Sequence, residues 1–127
     1  MSAPTPPAQA TGILLCDDMI FTSRVTGTAR GLGLTVKPVR ATEDLQKLVQ
    51  QQNPRCVIVD LASPGLNIAE LIAFLKNAGS PAPRVIAYGS HVDTATLRRA
   101  REAGCDLVLP RSKFVEDLPA ALPEWMA

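Results

Sequence analysis

The chain has 127 residues, enough for one domain that buries roughly two thirds of its unfolded surface. Its 13 basic and 12 acidic residues leave a formal net charge of +1 with no long run of either sign, which argues against nucleic acid or an anionic membrane as a partner. Apolar stretches are strand-length, far short of the roughly 20 residues of a membrane span, and the N-terminus lacks the basic and apolar pattern of a secretory signal, so a soluble, cytoplasmic protein is expected.

Residues 1–11 hold three prolines and no apolar periodicity, which predicts a mobile tail ahead of one domain over 12–127. Residues 12–16 form an apolar strand that ends in Asp17-Asp18. Residues 19–30 place Phe21, Val25 and Ala29 at helical spacing, although Thr and Gly weaken the intrinsic helix, and Gly31 and Gly33 offer a stop. Residues 34–39 read as a second strand, which Pro38 consigns to a sheet edge. Thr42, ahead of Glu43 and Asp44, opens a helix with Leu45, Leu48 and Val49 on one face, and Asn53-Pro54 ends it.

Cys56-Val57-Ile58-Val59 suits a strand buried on both faces, closed by Asp60 and turned by Ser63-Pro64-Gly65. Asn67-x-x-Glu70 has the form of a capping box before Ile68, Leu71, Ile72 and Leu75, with Gly79 as the C′ residue. Residues 84–88 make a fourth strand, Gly89 to Val92 a loop, and Asp93 caps a helix through Leu97, Ala100 and Ala103 that Gly104 closes. Leu107-Val108-Leu109 is a short fifth strand, and Ser112 caps a last helix with Phe114, Val115 and Leu118, its length limited by Pro119 and Pro123.

Five alternations of strand and helix predict a parallel sheet with helices on both faces, because parallel neighbours require crossovers. Ligands bind such sheets at the carboxyl ends of the strands, where Asp17, Asp18 and Asp60 fall. Two unit charges about 4 Å apart repel by about 4 kcal/mol at an effective dielectric near 20, so three carboxylates call for a hard cation with oxygen ligands, Mg²⁺ first. Helix capping is the other use of an Asp at this position, but it does not account for an adjacent pair together with a third Asp on another strand. Cys16, Cys56 and Cys105 are widely spaced and read as buried thiols. The one histidine, His91, has no cysteine near it in sequence, which disfavours zinc.

On Asp17-Asp18 after strand one, Asp60 after strand three with Pro64 four residues later, and Ala103-Gly104 before strand five, residues 12–122 resemble the receiver domain of two-component response regulators. The single-domain chemotaxis-type receivers are closest in length. The resemblance implies a flavodoxin-like five-stranded sheet in the order 2-1-3-4-5 and phosphorylation of Asp60. It further implies Mg²⁺ held by Asp17, Asp18, Asp60 and the Ala62 carbonyl. Its implied partners are proteins, namely a histidine kinase or phosphotransfer protein and a downstream target.

The chain departs from this pattern where a receiver carries its switch. The Ser or Thr position at the end of strand four falls on Gly89, with Ser90 adjacent, and the Lys position after strand five falls on Arg111. Arg keeps the charge but replaces a compact ammonium with a planar fork. The aromatic position of strand five holds only Leu107, Val108 and Leu109, and Tyr88 stands one residue before Gly89 as either a substitute rotamer switch or a packed strand-end residue. Arg98, Arg99 and Arg101 form a basic patch on the fourth helix, either a solvated face or part of a docking surface.

Three functions compete. One is a stand-alone phosphoacceptor module that acts by docking. The second is a pseudo-receiver that binds partners without phosphorylation, favoured by Gly89 and Arg111. The third, a small flavodoxin-like binding protein or enzyme, lacks a phosphate-cradling glycine loop after strand one and a nucleophile-base pair, so a non-enzymatic module is expected.

Overall fold

A computed structural model describes residues 11–127. Strands β1 (Thr11–Leu15), β2 (Thr35–Val39), β3 (Cys56–Asp60), β4 (Arg84–Gly89) and β5 (Leu107–Pro110) alternate with helices α1 (Met19–Gly31), α2 (Thr42–Gln52), α3 (Ile68–Lys76), α4 (Thr94–Ala103) and α5 (Arg111–Trp125). The five strands form one sheet in the order β2-β1-β3-β4-β5, and every pairing is parallel. The expected tail lies outside the described residues except for Thr11, which opens β1 and pairs with Thr35.

The central strand β3 is buried along its whole length, and its alternating side chains feed two cores. Val57 and Val59 join Ile13, Leu15, Val85 and Ala87 beneath α2, α3 and α4. Cys56 and Ile58 join Leu14, Ile86 and Tyr88 beneath α1 and α5. Period-two alternation therefore sends Asp60 to the second face. Pro38 sits in the edge strand β2, where a missing N–H costs least.

Local signals set most helix ends. The Asp18 carboxylate accepts the Phe21 N–H at 3.0 Å, and Thr26 and Thr28 hydroxyls bond the Thr22 and Arg24 carbonyls at 2.9 Å each. The Asp18 cap and the burial of Val25 and Ala29 hold α1 despite its weak propensity, whereas the two hydroxyl bonds back to the preceding turn add no helix stability. Asn67 accepts the Glu70 N–H and Asp93 the Thr96 N–H. Gly104, at φ 104°, ends α4 in a conformation few side chains adopt.

Thr42 opens α2 as expected, behind Ala41, which makes no side-chain cap bond, whereas three local expectations fail. α3 stops at Lys76 with Asn77 as cap, so Gly79 lies beyond the C′ position. α5 begins at Arg111 behind Pro110, whose fixed φ of −59° feeds the helix directly and places Ser112 inside it. Pro119 and Pro123 do not shorten α5, which runs 15 residues. Each proline removes one helical bond at a cost of about 3 kcal/mol, but Phe114, Leu118, Leu122 and Trp125 are all buried on one face and contribute about 1.5–3 kcal/mol apiece.

Candidate functional site

The carboxyl edge of the sheet assembles the site. The register Leu15↔Val59 carries Cys16 beside Asp60, whose Oδ2 accepts the Cys16 Sγ–H at 3.5 Å. On the other flank Asp60 pairs with Tyr88. Asp60 Oδ1 accepts the Ala62 N–H at 2.9 Å, and its carbonyl accepts the Ser63 N–H at 3.0 Å, so the turn closes over its own carboxylate. The residue is only 4% exposed. Ion pairs among the described residues are Arg40–Asp17 and Lys113–Asp117, which leaves the Asp60 carboxylate without a cationic partner.

Asp17 and Asp18 stand at the same edge but point to other partners. Asp17 Oδ1 lies 3.2 Å from Arg40 Nε, with the two side chains 48% and 69% exposed, and Asp18 Oδ1 caps α1. Among the described residues no three His, Cys, Asp or Glu side chains gather closely enough to hold a metal ion. The chemistry of the donor set suits a hard divalent cation, whereas in this structure Asp17 is engaged by Arg40 and Asp18 by the cap of α1. An exposed ion pair of this kind contributes only about 0–1 kcal/mol, so Arg40 is a weak competitor for Asp17.

The switch positions are not aimed at Asp60. Ser90 is exposed, and its Oγ accepts the Val92 N–H of its own loop at 3.4 Å. The Arg111 guanidinium stands over the Phe21 ring at 5.8 Å, an aromatic contact instead of a carboxylate one. A Cβ built on Gly89 would meet Leu61 and Leu97 side chains at 3.4 Å, which is ordinary contact. Gly89→Ser is therefore expected to fold normally, with its thermal midpoint within about 4 °C of wild type; a larger drop in a melting scan refutes that fit.

Tyr88 is fully buried, its ring 4.5 Å from Phe114 and 4.8 Å from Phe21. Its hydroxyl and that of Ser63 have no protein hydrogen-bond partner. Burial first, then the adjacent Cys16 and Asp60, push the Tyr88 hydroxyl far above the ordinary tyrosine range, so it stays a proton donor. Burial also pushes the Cys56 thiol up to about 12, and all three cysteines are free. Sequence reasoning missed Cys16 and Arg40 as neighbours of the carboxylates. The only signal for either was its place beside the C-terminal end of an apolar strand.

Volume does not mark this site. A cleft of about 220 Å³ touches it through Cys16, Asp17 and Arg40. A larger groove of about 660 Å³ is lined by residues that include Asn53, Arg55, Lys76 and Arg84, which open or flank the other ends of the strands.

No family model matches the sequence. A curated relative, the transcriptional activator protein ExaE of Pseudomonas putida, is 33% identical over 96 residues, which is 73% of this chain and 44% of that protein. The chain thus spans less than half the length of the curated relative it matches. Among solved structures, a response regulator signal receiver domain from Bermanella marisrubri superposes with a TM-score of 0.80 at 18% identity, covering 94% of this chain and 99% of that one. A DNA-binding response regulator of the LuxR family from Staphylococcus aureus gives 0.77 at 18% identity over 93% and 99%. A response regulator from Burkholderia pseudomallei, solved with a phosphorylated aspartic acid, a calcium ion and citrate, gives 0.74 at 23% identity over 88% and 65%.

Proposed function

Because the chain has the fold of response-regulator receiver domains, we propose that it is a phosphorelay signalling module, not an enzyme, which accepts a phosphoryl group on Asp60 and acts by docking to a protein partner. One observation carries this reading: a nearly buried carboxylate without a cation closes the central strand, beside the end of a strand that supplies two more carboxylates. Burying an unpaired charge is costly, which favours a use for it. The donor would be a histidine kinase or phosphotransfer protein, and a downstream target would read the result.

In the transfer, a carboxylate oxygen of Asp60 attacks phosphorus, the bond from phosphorus to the donor breaks, and its electron pair leaves with the donor. Cys16 and the Ala62 N–H hold the carboxylate in a fixed orientation for that attack. Asp17, Asp18, Asp60 and the Ala62 carbonyl would hold Mg²⁺, which when bound supplies positive charge to the transferring oxygens. Arg40 competes for Asp17. Arg40→Ala is accordingly expected to tighten Mg²⁺ binding about two- to fivefold, measured by titration calorimetry, and unchanged or weaker binding refutes the competition.

The test is the intact mass after incubation with Mg²⁺ and acetyl phosphate or phosphoramidate, beside an Asp60→Asn control. Gain of one phosphoryl group in wild type alone supports the reading. No gain in a folded sample favours the second reading, a phosphorylation-independent pseudo-receiver, to which Gly89 and the placement of Arg111 over Phe21 lend support.

A further inference from the structure

We infer that the Tyr88 hydroxyl is the buried donor that binds the oxygens of a phosphoryl group on Asp60. The inference rests on the reading of Asp60 as a phosphoacceptor and assigns the residue that grips the product.

Three observations converge on it. Tyr88 is the β4 partner of Asp60 in register, and both belong to the face covered by α1 and α5. The ring is clamped between Phe21 and Phe114, at 4.8 and 4.5 Å, so the hydroxyl cannot swing out to water. Above all, this fully buried O–H makes no hydrogen bond of ordinary length and angle, although the Cys16 thiol and the Asp60 carboxylate stand near enough to act on it, and an unsatisfied donor of this kind is uncommon in a native interior. The other unpartnered hydroxyl, Ser63 Oγ, lies in the turn after β3, and Ser63 reaches Asp60 through its backbone N–H.

Phosphorylation supplies what the donor lacks. Asp60 Oδ1 and Oδ2 are already engaged by the Ala62 N–H and the Cys16 thiol. A phosphoryl group adds three strong acceptor oxygens with about −1.5 to −2 charge units. The bond from Asp60 to phosphorus forms as the donor's bond breaks, and Tyr88 keeps its proton and shares it with a phosphoryl oxygen. Gly89 supplies no hydroxyl at the neighbouring position and Ser90 bonds its own loop, so Tyr88 is the hydroxyl donor that the strand end provides.

The experiment compares wild type with Tyr88→Phe. Beryllofluoride with Mg²⁺ is titrated by calorimetry, intact mass is followed with acetyl phosphate, and the unfolding midpoint is taken without either. Wild type is expected to bind beryllofluoride and gain one phosphoryl group, whereas Tyr88→Phe binds beryllofluoride about tenfold more weakly, the loss of one hydrogen bond to a charged acceptor. Its unfolding midpoint is expected to equal or exceed that of wild type, because the deleted hydroxyl had no partner in the resting protein. Equal beryllofluoride affinity in both proteins, with wild type phosphorylated, overturns this inference alone. A midpoint several degrees below wild type does the same, since it means the hydroxyl was already bonded. A wild type that neither binds beryllofluoride nor gains mass overturns both this inference and the reading beneath it.

Discussion

Phe114→Ala is expected to lower folding stability by about 3–5 kcal/mol, read as a fall in the urea midpoint. Phe114 is fully buried on α5 and stacks on Tyr88 at 4.5 Å and on Trp125 at 5.7 Å, with Phe21 at 5.9 Å. Its ring therefore ties α1, β4 and α5 together at one point, and no single neighbour can refill the space it leaves. A domain of this kind has about 5–15 kcal/mol in all, so the loss takes a large share. Trp125 is the sole tryptophan, and its emission is expected to shift red in the native variant as its stacking partner disappears. A cost below about 1 kcal/mol with unchanged emission refutes the keystone role. Val115, only half-buried on the same helix, serves as comparison: Val115→Ala should cost less than about 1.5 kcal/mol.

The sequence reveals what is encoded locally or by period. Cys56 to Asp60 reads as a central strand because an uninterrupted apolar run needs cover on both faces, and β3 is buried throughout. Pro38 places β2 at an edge because a missing N–H has no other tolerable position. Asp93 and Gly104 announce the ends of α4 by chemistry that acts within one turn. The location of Asp60 and of Asp17-Asp18 at one sheet edge follows from the same strand pattern.

What the sequence hides depends on tertiary neighbours. Asp17 turns to Arg40, a partner 23 residues away, which becomes adjacent only because β2 pairs with β1. Asp18 spends one carboxylate oxygen on the cap of α1, so both roles considered for that residue draw on the same side chain. Pro119 and Pro123 read as breakers from propensity alone, yet the buried face of α5 outweighs two lost hydrogen bonds. Arg111 follows β5 as its spacing predicts, but the choice of Phe21 over Asp60 is made by the packing of α1 against α5. The unpartnered state of the Tyr88 hydroxyl has no sequence signal at all.

Asp60→Asn is expected to raise stability by about 1–2 kcal/mol in the absence of divalent cations, and to lose that advantage when Mg²⁺ is added. Asp60 is 4% exposed and unpaired with any cation, and an uncompensated buried charge destabilises the fold that holds it. The amide can keep the Ala62 N–H on Oδ1, and it gives up only the long Cys16 Sγ–H contact that Oδ2 accepts, since Nδ2 cannot accept it. Mg²⁺ reverses the order because only wild type retains all three carboxylates, and a ligand at a hundred times its dissociation constant adds about 2.7 kcal/mol to the form that binds it. Urea unfolding of both proteins, with EDTA and with millimolar Mg²⁺, reads the two effects separately. The charge argument fails if the variant is the less stable protein in EDTA. If Mg²⁺ leaves the wild-type midpoint where it was, the carboxylates at this sheet edge hold no such ion, and the pseudo-receiver reading gains the weight that the phosphoacceptor loses.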